Sequence, residues 1–262
     1  MDITVDNIIW SPRRRRILDG VSLCVRAGQH VGIVGPNGSG KSSLLRCIYR
    51  YLKPDTGRVC LGGHDVWQLP AGIVAQSMAV VLQEQSGGEG LSAYEVVMGG
   101  RLPHQSILGG DTARDRRAVV DALDLVAMSA YADRQFSALS GGEKRRVMIA
   151  RALAQDPKVL VLDEISNHLD LSSVLEIMSL LRRLPITILA VYHDLSLAAT
   201  YCDYLYGLAG GRVVAEGESA QVITTPLIRQ IFGVEALVDT LASTGQHRVT
   251  VLHNHAQTFD KK

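Results

Sequence analysis

Residues 30–43 read His-Val-Gly-Ile-Val-Gly-Pro-Asn-Gly-Ser-Gly-Lys-Ser-Ser, and this stretch decides the fold of the chain. Its first five residues predict a buried strand, and the apolar spacing after Lys41 predicts a helix. The residues between them, 35–42, match the pattern GxxxxGK[ST]. A glycine-rich turn at the start of a helix directs backbone N–H groups and the positive end of the helix dipole to one point. The sequence therefore predicts a binding site for the phosphates of a nucleoside triphosphate.

The residue types of this phosphate-binding loop (residues 35–42) each have a chemical reason. Glycines allow the tight turn, Lys41 supplies positive charge between the β- and γ-phosphates, and Ser42 is expected to ligate Mg²⁺. Ser43 offers a further hydroxyl donor. The predicted nucleotide-contacting residues are Gly35, Pro36, Asn37, Gly38, Ser39, Gly40, Lys41, Ser42 and Ser43.

Two carboxylates follow a second apolar run. Residues 159–164 read VLVLDE, and the consecutive apolar residues predict a strand that is buried on both faces. Ligands of open α/β sheets bind at the carboxyl ends of the strands. Asp163 is therefore expected to hold Mg²⁺, and Glu164 to polarise a water molecule aimed at the γ-phosphate. Two solvated carboxylates at a strand end are the ordinary alternative, but the pairing with the phosphate-binding loop favours a functional site.

A second predicted helix start lies at residues 139–146, which read LSGGEKRR and are called the signature segment below. Ser140 is a good N-cap, and Glu143 three residues later completes a capping box. Two glycines at the mouth of a helix favour anion binding. Taken alone, the pattern indicates only the start of a helix.

Together these segments resemble the ATP-binding subunits of ABC transporters. The resemblance rests on GPNGSGKS at 35–42, LSGGE at 139–143, VLVLDE at 159–164, SNHLD at 166–170 and the pair His193-Asp194, and it spans about Ile3 to Val238. It implies an α/β fold with a P-loop NTPase core, an antiparallel β edge subdomain and an inserted helical subdomain. The implied bounds are 3–240 for the nucleotide-binding domain, about 87–157 for its helical insertion, and 241–262 for a C-terminal tail.

The resemblance also assigns roles within one subunit. Trp10 is expected to stack on adenine, with a buried core tryptophan as the alternative. Gln83 is expected to reach Mg²⁺ and the attacking water, with Gln85 as a rival for this role. His193 resembles the switch histidine that contacts the γ-phosphate. The implied catalytic residues are Glu164, His193 and Gln83, and the implied metal ligands are Ser42, Gln83 and Asp163.

Other roles imply a second copy of the chain. Ser140, Gly141 and Gly142 are expected to bind the γ-phosphate held by the opposite subunit, and Asp170 resembles the aspartate of the loop that crosses the dimer interface. The implied assembly is therefore a homodimer with ATP and Mg²⁺ in each site. The chain departs from the usual family pattern at Ile165-Ser166 and at Tyr192, which precedes the switch histidine.

Composition limits the class of partner. Lys and Arg number 27 and Asp and Glu 26, so the near-zero net charge disfavours nucleic acid as a partner. No apolar run approaches the roughly 18 residues of a membrane span, and a soluble intracellular chain is expected. The four cysteines show no CxxC spacing and are expected to be reduced, buried thiols.

Residues 91–104 (LSAYEVVMGGRLPH) resemble importers of iron chelates, haem and cobalamin. The implied function is an ATPase that powers uptake of a metal chelate, a ferric siderophore first, through transmembrane permease subunits at the cytoplasmic face of the membrane. An extracytoplasmic solute-binding protein is an indirect partner. The alternatives are import of haem or cobalamin, a soluble ABC-type ATPase not coupled to transport, a non-hydrolysing scaffold, and an exporter subunit.

Periodicity predicts the remaining elements. Two regions leave alternatives: Arg13–Arg16 is interpreted as a solvated turn or as a phosphate or lipid contact, and the histidines after residue 243 as part of a frayed tail, an edge strand at Arg248–Leu252, or a metal tract. Strands are predicted near 3–8, 17–26, 30–34, 58–61, 78–82, 159–163, 187–191, 204–208 and 212–216. Helices are predicted near 41–51, 92–101, 114–126, 141–155, 172–184, 195–201 and 226–232.

Overall fold

A computed structural model of the chain describes residues 1–82, 88, 90–106, 110–164, 169–240 and 247–254. Residues 253 and 254 are described by their backbone only. The strands are β1 (Ile3–Trp10), β2 (Leu18–Val25), β3 (His30–Val34), β4 (Thr56–Leu61), β5 (His64–Asp65), β6 (Met78–Val81), β7 (Val159–Leu162), β8 (Thr187–Val191), β9 (Tyr204–Ala209), β10 (Arg212–Glu218), β11 (Val234–Thr240) and β12 (His247–Asn254). The α-helices are α1 (Lys41–Ile48), α2 (Ala71–Ser77), α3 (Ala93–Met98), α4 (Ala113–Leu125), α5 (Gly141–Ala154), α6 (Leu171–Arg183), α7 (Leu195–Tyr201), α8 (Ser219–Val222) and α9 (Thr225–Phe232).

The central sheet has the strand order β10-β9-β3-β8-β7-β6, and all of its neighbouring pairs are parallel except β10 with β9. A second, antiparallel sheet has the order β2-β1-β4-β5. The parallel order places the carboxyl ends of β3, β7 and β8 side by side. The α/β fold with an antiparallel edge sheet, which the resemblance implied, is therefore present.

Burial explains why the central strands read as continuous apolar runs. Every residue of Val159–Leu162 is fully buried. Val159 and Val161 belong to a core shared with α1 and the antiparallel sheet, whereas Leu160 and Leu162 belong to a core shared with α3 to α7. Because side chains of a strand alternate between its faces, a strand covered on both faces must be apolar throughout.

The helices α3, α4 and α5 lie in the chain between β6 and β7. Arg101, in the short 3-10 helix that follows α3, contacts the other two helices: its Nε donates to Asp115 Oδ1 on α4 at 2.9 Å in a buried ion pair, and its Nη1 donates to the carbonyl of Ala154 on α5 at 2.7 Å. Thr112 and Asp115 form the capping box that begins α4. The helical insertion is thus held together by polar contacts between residues that lie up to 53 positions apart.

Several predicted elements needed correction. The strands β5 and β11 and the helices α2 and α8 have no counterpart in the prediction. The edge strand at Arg248–Leu252 is confirmed as part of β12, which pairs with β11 in an antiparallel hairpin. The histidine tract falls partly outside the described residues, and no group of three or more metal-ligating side chains occurs in the part of the chain that is described. The domain bounds remain a prediction.

Three smaller predictions concern the arginine run after β1, the cysteines and membrane-spanning helices. Pro12–Arg14 form a short 3-10 helix between β1 and β2, and Arg13–Arg16 are largely exposed, so the turn interpretation is confirmed. Cys47 and Cys202 are buried free thiols as predicted, but Cys24 is exposed and Cys60 is half-buried, because both alternate with core residues along their strands. Within the described ranges no helix is both long and apolar enough to cross a membrane.

Candidate nucleotide-binding site

The phosphate-binding loop joins β3 to α1 and is shaped by its glycines. Gly40 has φ 105°, a left-handed conformation that side chains disfavour, and it directly precedes the first residue of α1. A Cβ on Gly35 would lie 2.1 Å from the carbonyl oxygen of Leu208 on β9. Neither position tolerates a larger residue, so the local sequence and the neighbouring strand together fix the path of the loop.

Lys41 lies at the centre of the loop and is buried. Its Nζ donates to the carbonyl oxygens of Gly35 at 2.8 Å and Pro36 at 2.9 Å. Burial lowers the pKa of Lys41, while the negative charges of Glu164 and Asp163 oppose that shift. The predicted phosphate-binding lysine and the predicted carboxylates are therefore close enough in space to interact electrostatically.

Asp163 follows β7 and faces the first turn of α1. Ser42 Oγ donates to Asp163 Oδ1 at 3.3 Å, although the two residues are 121 positions apart. Burial raises the pKa of Asp163, and the Ser42 hydrogen bond acts in the opposite direction. A hydroxyl and a carboxylate are the oxygen donors that Mg²⁺ prefers, so this pair fits a magnesium site.

Glu164 and His193 form the opposite wall of the site. His193 Nε2 contacts Glu164 Oε1. Glu164 lies just after β7, and His193 precedes Asp194, the N-cap of α7, so the contact joins the end of one to the start of the other. Glu164 has φ 55°, a left-handed conformation that is uncommon for a residue with a side chain. Such strained residues cluster at functional sites, where the surrounding structure enforces them.

Arg145 lies on α5, the helix of the signature segment, and helps to hold Glu164 in this conformation. The side chain is buried, and its guanidinium donates to the carbonyl oxygens of Leu82 at 2.7 Å, Glu164 at 2.8 Å and Asp163 at 3.3 Å. Burial lowers its pKa to about 10, and the charges of Asp163 and Glu164 oppose the shift. This residue was not predicted from the sequence, although Arg145, Ile149 and Ala152 share helical spacing and so one buried face.

The signature segment begins α5 as predicted. Ser140 Oγ accepts a hydrogen bond from the backbone of Glu143, and the Glu143 carboxylate accepts one from the backbone of Ser140. Among the described residues, no hydrogen bond or ion pair joins Ser140, Gly141 or Gly142 to the phosphate-binding loop. Their role at a nucleotide remains a prediction.

Asp170 caps α6 beside the signature segment. Its carboxylate accepts hydrogen bonds from the Ser173 backbone at 2.9 Å and the Ser173 hydroxyl at 2.8 Å. A Cβ on Gly142 would lie 2.8 Å from that hydroxyl, so the absence of a side chain at Gly142 allows the two helix starts to approach each other. The predicted interface residues thus lie together on one surface.

The remaining predicted residues differ in what the structure says of them. Trp10 ends β1, is half-buried and packs against the core that α1 shares with the antiparallel sheet, and its carbonyl accepts a hydrogen bond from Ile17 at 2.9 Å. The Ile17 carbonyl in turn lies close to Gly40 of the phosphate-binding loop. Adenine stacking stays a prediction. Gln83 and its rival Gln85 lie outside the described residues.

Comparison with known proteins identifies the class. A family model described as "ABC transporter" matches residues 18–167. The iron(3+)-hydroxamate import ATP-binding protein of Bacillus subtilis is 38% identical over 230 residues, covering 86% of each chain. A cobalamin import ATP-binding protein of Halobacterium salinarum is 39% identical over 241 residues, covering 90% of this chain and 60% of the relative.

A solved structure matches as well. A dimeric ATP-binding cassette in a post-hydrolysis state, bound to ADP and phosphate, has a TM-score of 0.74 and 28% identity, covering 83% of this chain and 98% of that one. The chain therefore belongs to the ABC transporter family, as an ATP-binding protein with the ATPase fold. Its enzyme class is that of the ABC-type ATPases.

Proposed function

We propose that two copies of this chain hydrolyse ATP to power import of a metal chelate, first a ferric siderophore, through separate permease subunits at the cytoplasmic face of the membrane. One observation carries the ATPase part. Lys41, Asp163, Glu164 and His193, from three separate strand ends, converge on one edge of the parallel sheet. That edge is where α/β sheets bind ligands.

The residues divide the chemistry among them. Lys41 and the backbone N–H groups of the loop bind the β- and γ-phosphates, and Glu164 accepts a proton from the attacking water. His193 holds Glu164 in place and contacts the γ-phosphate. Ser42 and Asp163, with Gln83 as a further predicted ligand, would hold Mg²⁺, which would neutralise charge on the phosphates.

A head-to-tail dimer completes each site in this proposal. Ser140, Gly141 and Gly142 begin a helix whose N–H groups suit an anion, and no contact joins them to the phosphate-binding loop within the described part of one chain. Placing the signature segment of one copy against the ATP of the other resolves this separation. The dimeric cassette among the structural matches supports the arrangement. Loss of the γ-phosphate would then favour opening.

The catalytic role of Glu164 has a direct test. In Glu164→Gln we expect the ATPase rate to fall by about 100-fold or more, because general-base catalysis contributes about 10²–10⁴. Binding of a fluorescent ATP analogue is expected to stay near the wild-type level. Glu176→Gln, an exposed glutamate on α6, serves as the control and should hydrolyse ATP normally. A normal ATPase rate in Glu164→Gln would refute the assignment.

A groove of about 420 Å³ between the sheet and the helical insertion supports docking of a permease. Leu82 at the end of β6, Leu102 and Pro103 after α3, and Met148 on α5 line it, and Leu102 is 65% exposed. An exposed apolar groove of this kind is typical of an interface with another protein. Since the Leu82 carbonyl accepts a hydrogen bond from Arg145, which also donates to the backbone carbonyl of Glu164, the groove is connected to the backbone of the catalytic residue.

The solute is proposed from relatives of this chain. The hydroxamate import protein of B. subtilis favours a ferric siderophore, and the haloarchaeal cobalamin import protein supports the alternative of cobalamin; haem is the other alternative. The test reconstitutes the chain with its permease in proteoliposomes. Solute-binding protein loaded with ferric hydroxamate should stimulate the ATPase, whereas the cobalamin- and haem-loaded forms should not. Stimulation by either of these alone would overturn the siderophore assignment.

A further inference from the structure

Behind His193, a buried polar contact joins the start of one central strand to the end of the next. Tyr192, directly before His193, is 2% exposed, and His30, the first residue of β3, is 6% exposed. The Tyr192 hydroxyl and His30 Nε2 form a hydrogen bond of 2.7 Å. The tyrosine hydroxyl also donates to Met178 Sδ on α6 at 3.9 Å. Burying a hydroxyl without a hydrogen bond costs free energy, so this pairing stabilises the buried position of the Tyr192 hydroxyl.

The His30 end of this contact is fixed to the sheet. The His30 backbone N–H donates to the Asp203 carboxylate at 2.8 Å, and the Asp203 backbone N–H donates to the His30 carbonyl at 2.8 Å. Asp203 directly precedes β9, the strand on the other side of β3. His30 therefore provides a rigid attachment point for the tyrosine hydroxyl.

Space for the tyrosine ring is provided by a glycine of β3. A Cβ on Gly32 would lie 3.2 Å from Tyr192 Cδ2, 2.8 Å from Cys202 Sγ and 2.6 Å from a methyl group of Leu205. The ring thus lies over a strand position that has no side chain. Any larger residue there would displace it.

The loop that carries His193 is held on both sides. Before it, the Tyr192 backbone N–H donates to the Ile33 carbonyl at 3.0 Å. After it, Asp194 caps α7 by accepting hydrogen bonds from Ser196 at 2.8 Å and Leu197 at 3.1 Å. His193 is the one residue between these two attachments, so a shift of either moves its imidazole relative to Glu164.

Both partners of the hydrogen bond are neutral. Burial lowers the pKa of His30 to about 4, although the charge of Asp203 opposes the shift. Burial also raises the pKa of Tyr192 well above its usual value. The hydrogen bond therefore persists without a change of charge through the neutral pH range.

The geometry points to Tyr192 as a positioning residue for the switch histidine: its hydroxyl, held by His30, fixes the loop so that His193 stays against Glu164. The inference rests on the proposed function, in which Glu164 and His193 act at the terminal phosphate of ATP. The Tyr192 side chain is buried in the core, and its effect passes through the backbone of the next residue.

The test measures kcat and KM for ATP with the full-length chain. In Tyr192→Phe we expect kcat to fall about tenfold, because small displacements of catalytic groups cost rates of this order, and KM to stay within about twofold. Tyr206→Phe is the matched control. Tyr206 is also buried, and its hydroxyl bonds the Cys24 backbone N–H and carbonyl at 3.0 Å each, away from His193. The control should leave kcat and KM unchanged.

Substitutions of His30 test the same hydrogen bond from its other end. We expect His30→Gln, which keeps a polar partner, to retain most of the wild-type kcat. His30→Leu, which removes the partner, should lose as much as Tyr192→Phe. The double variant Tyr192→Phe with His30→Leu should be no slower than either single variant, because both remove one interaction. Independent, multiplying losses would overturn the inference. These variants also keep the test decisive if Tyr192→Phe does not fold.

A second readout does not depend on turnover. The imidazole signals of His193 in a histidine-labelled NMR sample are assigned from their loss in His193→Asn. We expect them to shift or broaden in Tyr192→Phe and to stay unchanged in Tyr206→Phe.

An unchanged His193 signal or an unchanged kcat in Tyr192→Phe would overturn the inference, as would equal losses of kcat in both tyrosine variants. A wild-type chain without ATPase activity would refute the proposed function instead, and the NMR comparison would still stand.

Discussion

The phosphate-binding loop and the wall formed by Glu164 and His193 differ in how their groups are held. Lys41 Nζ is bound by carbonyl groups five and six positions earlier in the chain. Glu164 is held by Arg145, 19 positions away, and by His193, 29 positions away. The loop of His193 is attached through Tyr192 to His30, at a separation of 162 positions.

This difference separates two tasks. A loop with local contacts keeps its shape wherever the strand and helix that flank it form, so it is suited to binding phosphate. A wall assembled from distant segments changes when those segments move, so it is suited to coupling hydrolysis to motion elsewhere in the molecule. Arg145 illustrates the coupling, because it connects the carboxylate wall to the helix of the signature segment and to the proposed permease groove.

The largest expected effect is at the local region. In Lys41→Met we expect ATP affinity to fall about 100-fold or more, because the variant removes the positive charge that contacts the phosphates. Titration with a fluorescent ATP analogue measures it. Lys158→Met, an exposed lysine before β7, is the control and should bind as the wild type does. Normal ATP binding by Lys41→Met would contradict a role of Lys41 in binding the phosphates.

An intermediate effect is expected at the distant region. Arg145→Met removes the donors that hold the Glu164 carbonyl and the end of β6, so we expect kcat to fall about tenfold with little change in ATP affinity. Leaving buried carbonyl groups unpaired should also lower the free energy of unfolding by about 1–3 kcal/mol. Steady-state kinetics and urea unfolding measure the two quantities.

The neighbouring Arg146 gives the control for this variant. Arg146 pairs with the exposed Glu176 on α6, and such surface pairs contribute about 0–1 kcal/mol. Arg146→Met should therefore keep kcat near the wild-type value. If Arg146→Met and Arg145→Met lose the same activity, the carbonyl contacts of Arg145 are not what holds Glu164.

The same difference between local contacts and contacts of distant segments explains which features could be predicted from the sequence. The phosphate-binding loop, the buried strand before Asp163 and the capping box of Ser140 are local patterns, and the structure confirms each as an element or a cap. The contact of Ser42 with Asp163 followed from the rule that strand ends converge. The loop, the strand and the capping box are each formed by residues that lie close together in the sequence.

Two other contacts between distant segments, those of Arg145 and of Tyr192, were not predicted. The buried side chain of Arg145 and the bond between His30 and Tyr192 depend on which strands become neighbours, and one sequence does not encode that order in any short pattern. Tyr192 was visible only as a departure from the family pattern. The helix α2 was missed because it has seven residues with one of them buried, and the strand β11 because its apolar residues do not alternate strictly with polar ones.

The smallest effect on activity is expected at the helical insertion. The Thr112 hydroxyl first, and then Arg101, hold the pKa of Asp115 at about 2. Because this pKa lies below the unfolded value of about 3.9, the carboxylate stabilises the fold above pH ~4, and the contribution is lost as pH falls toward 2. Asp115→Asn should therefore cost more stability in urea unfolding at pH 6 than at pH 3, while the ATPase rate at neutral pH stays within about twofold.

Asp121 on the same helix is the control, since its ion pair with Arg117 is exposed. Asp121→Asn should change the free energy of unfolding by about 0–1 kcal/mol at pH 6. A loss from Asp115→Asn that is equal at pH 6 and pH 3 would contradict a stabilising role of the ionised carboxylate.

In the proposed dimer, each ATP lies between Lys41 of one copy and Ser140 of the other. Mixing two inactive variants tests it: Lys41→Met, and Ser140→Asp, which keeps a good N-cap but repels phosphate. Ser140→Asn is the uncharged control. In a mixed dimer both defects fall in one site and leave the other intact, so an equal mixture should recover about a quarter of the wild-type ATPase rate. No recovery, with mixed dimers demonstrated by differential tags, would contradict the shared site.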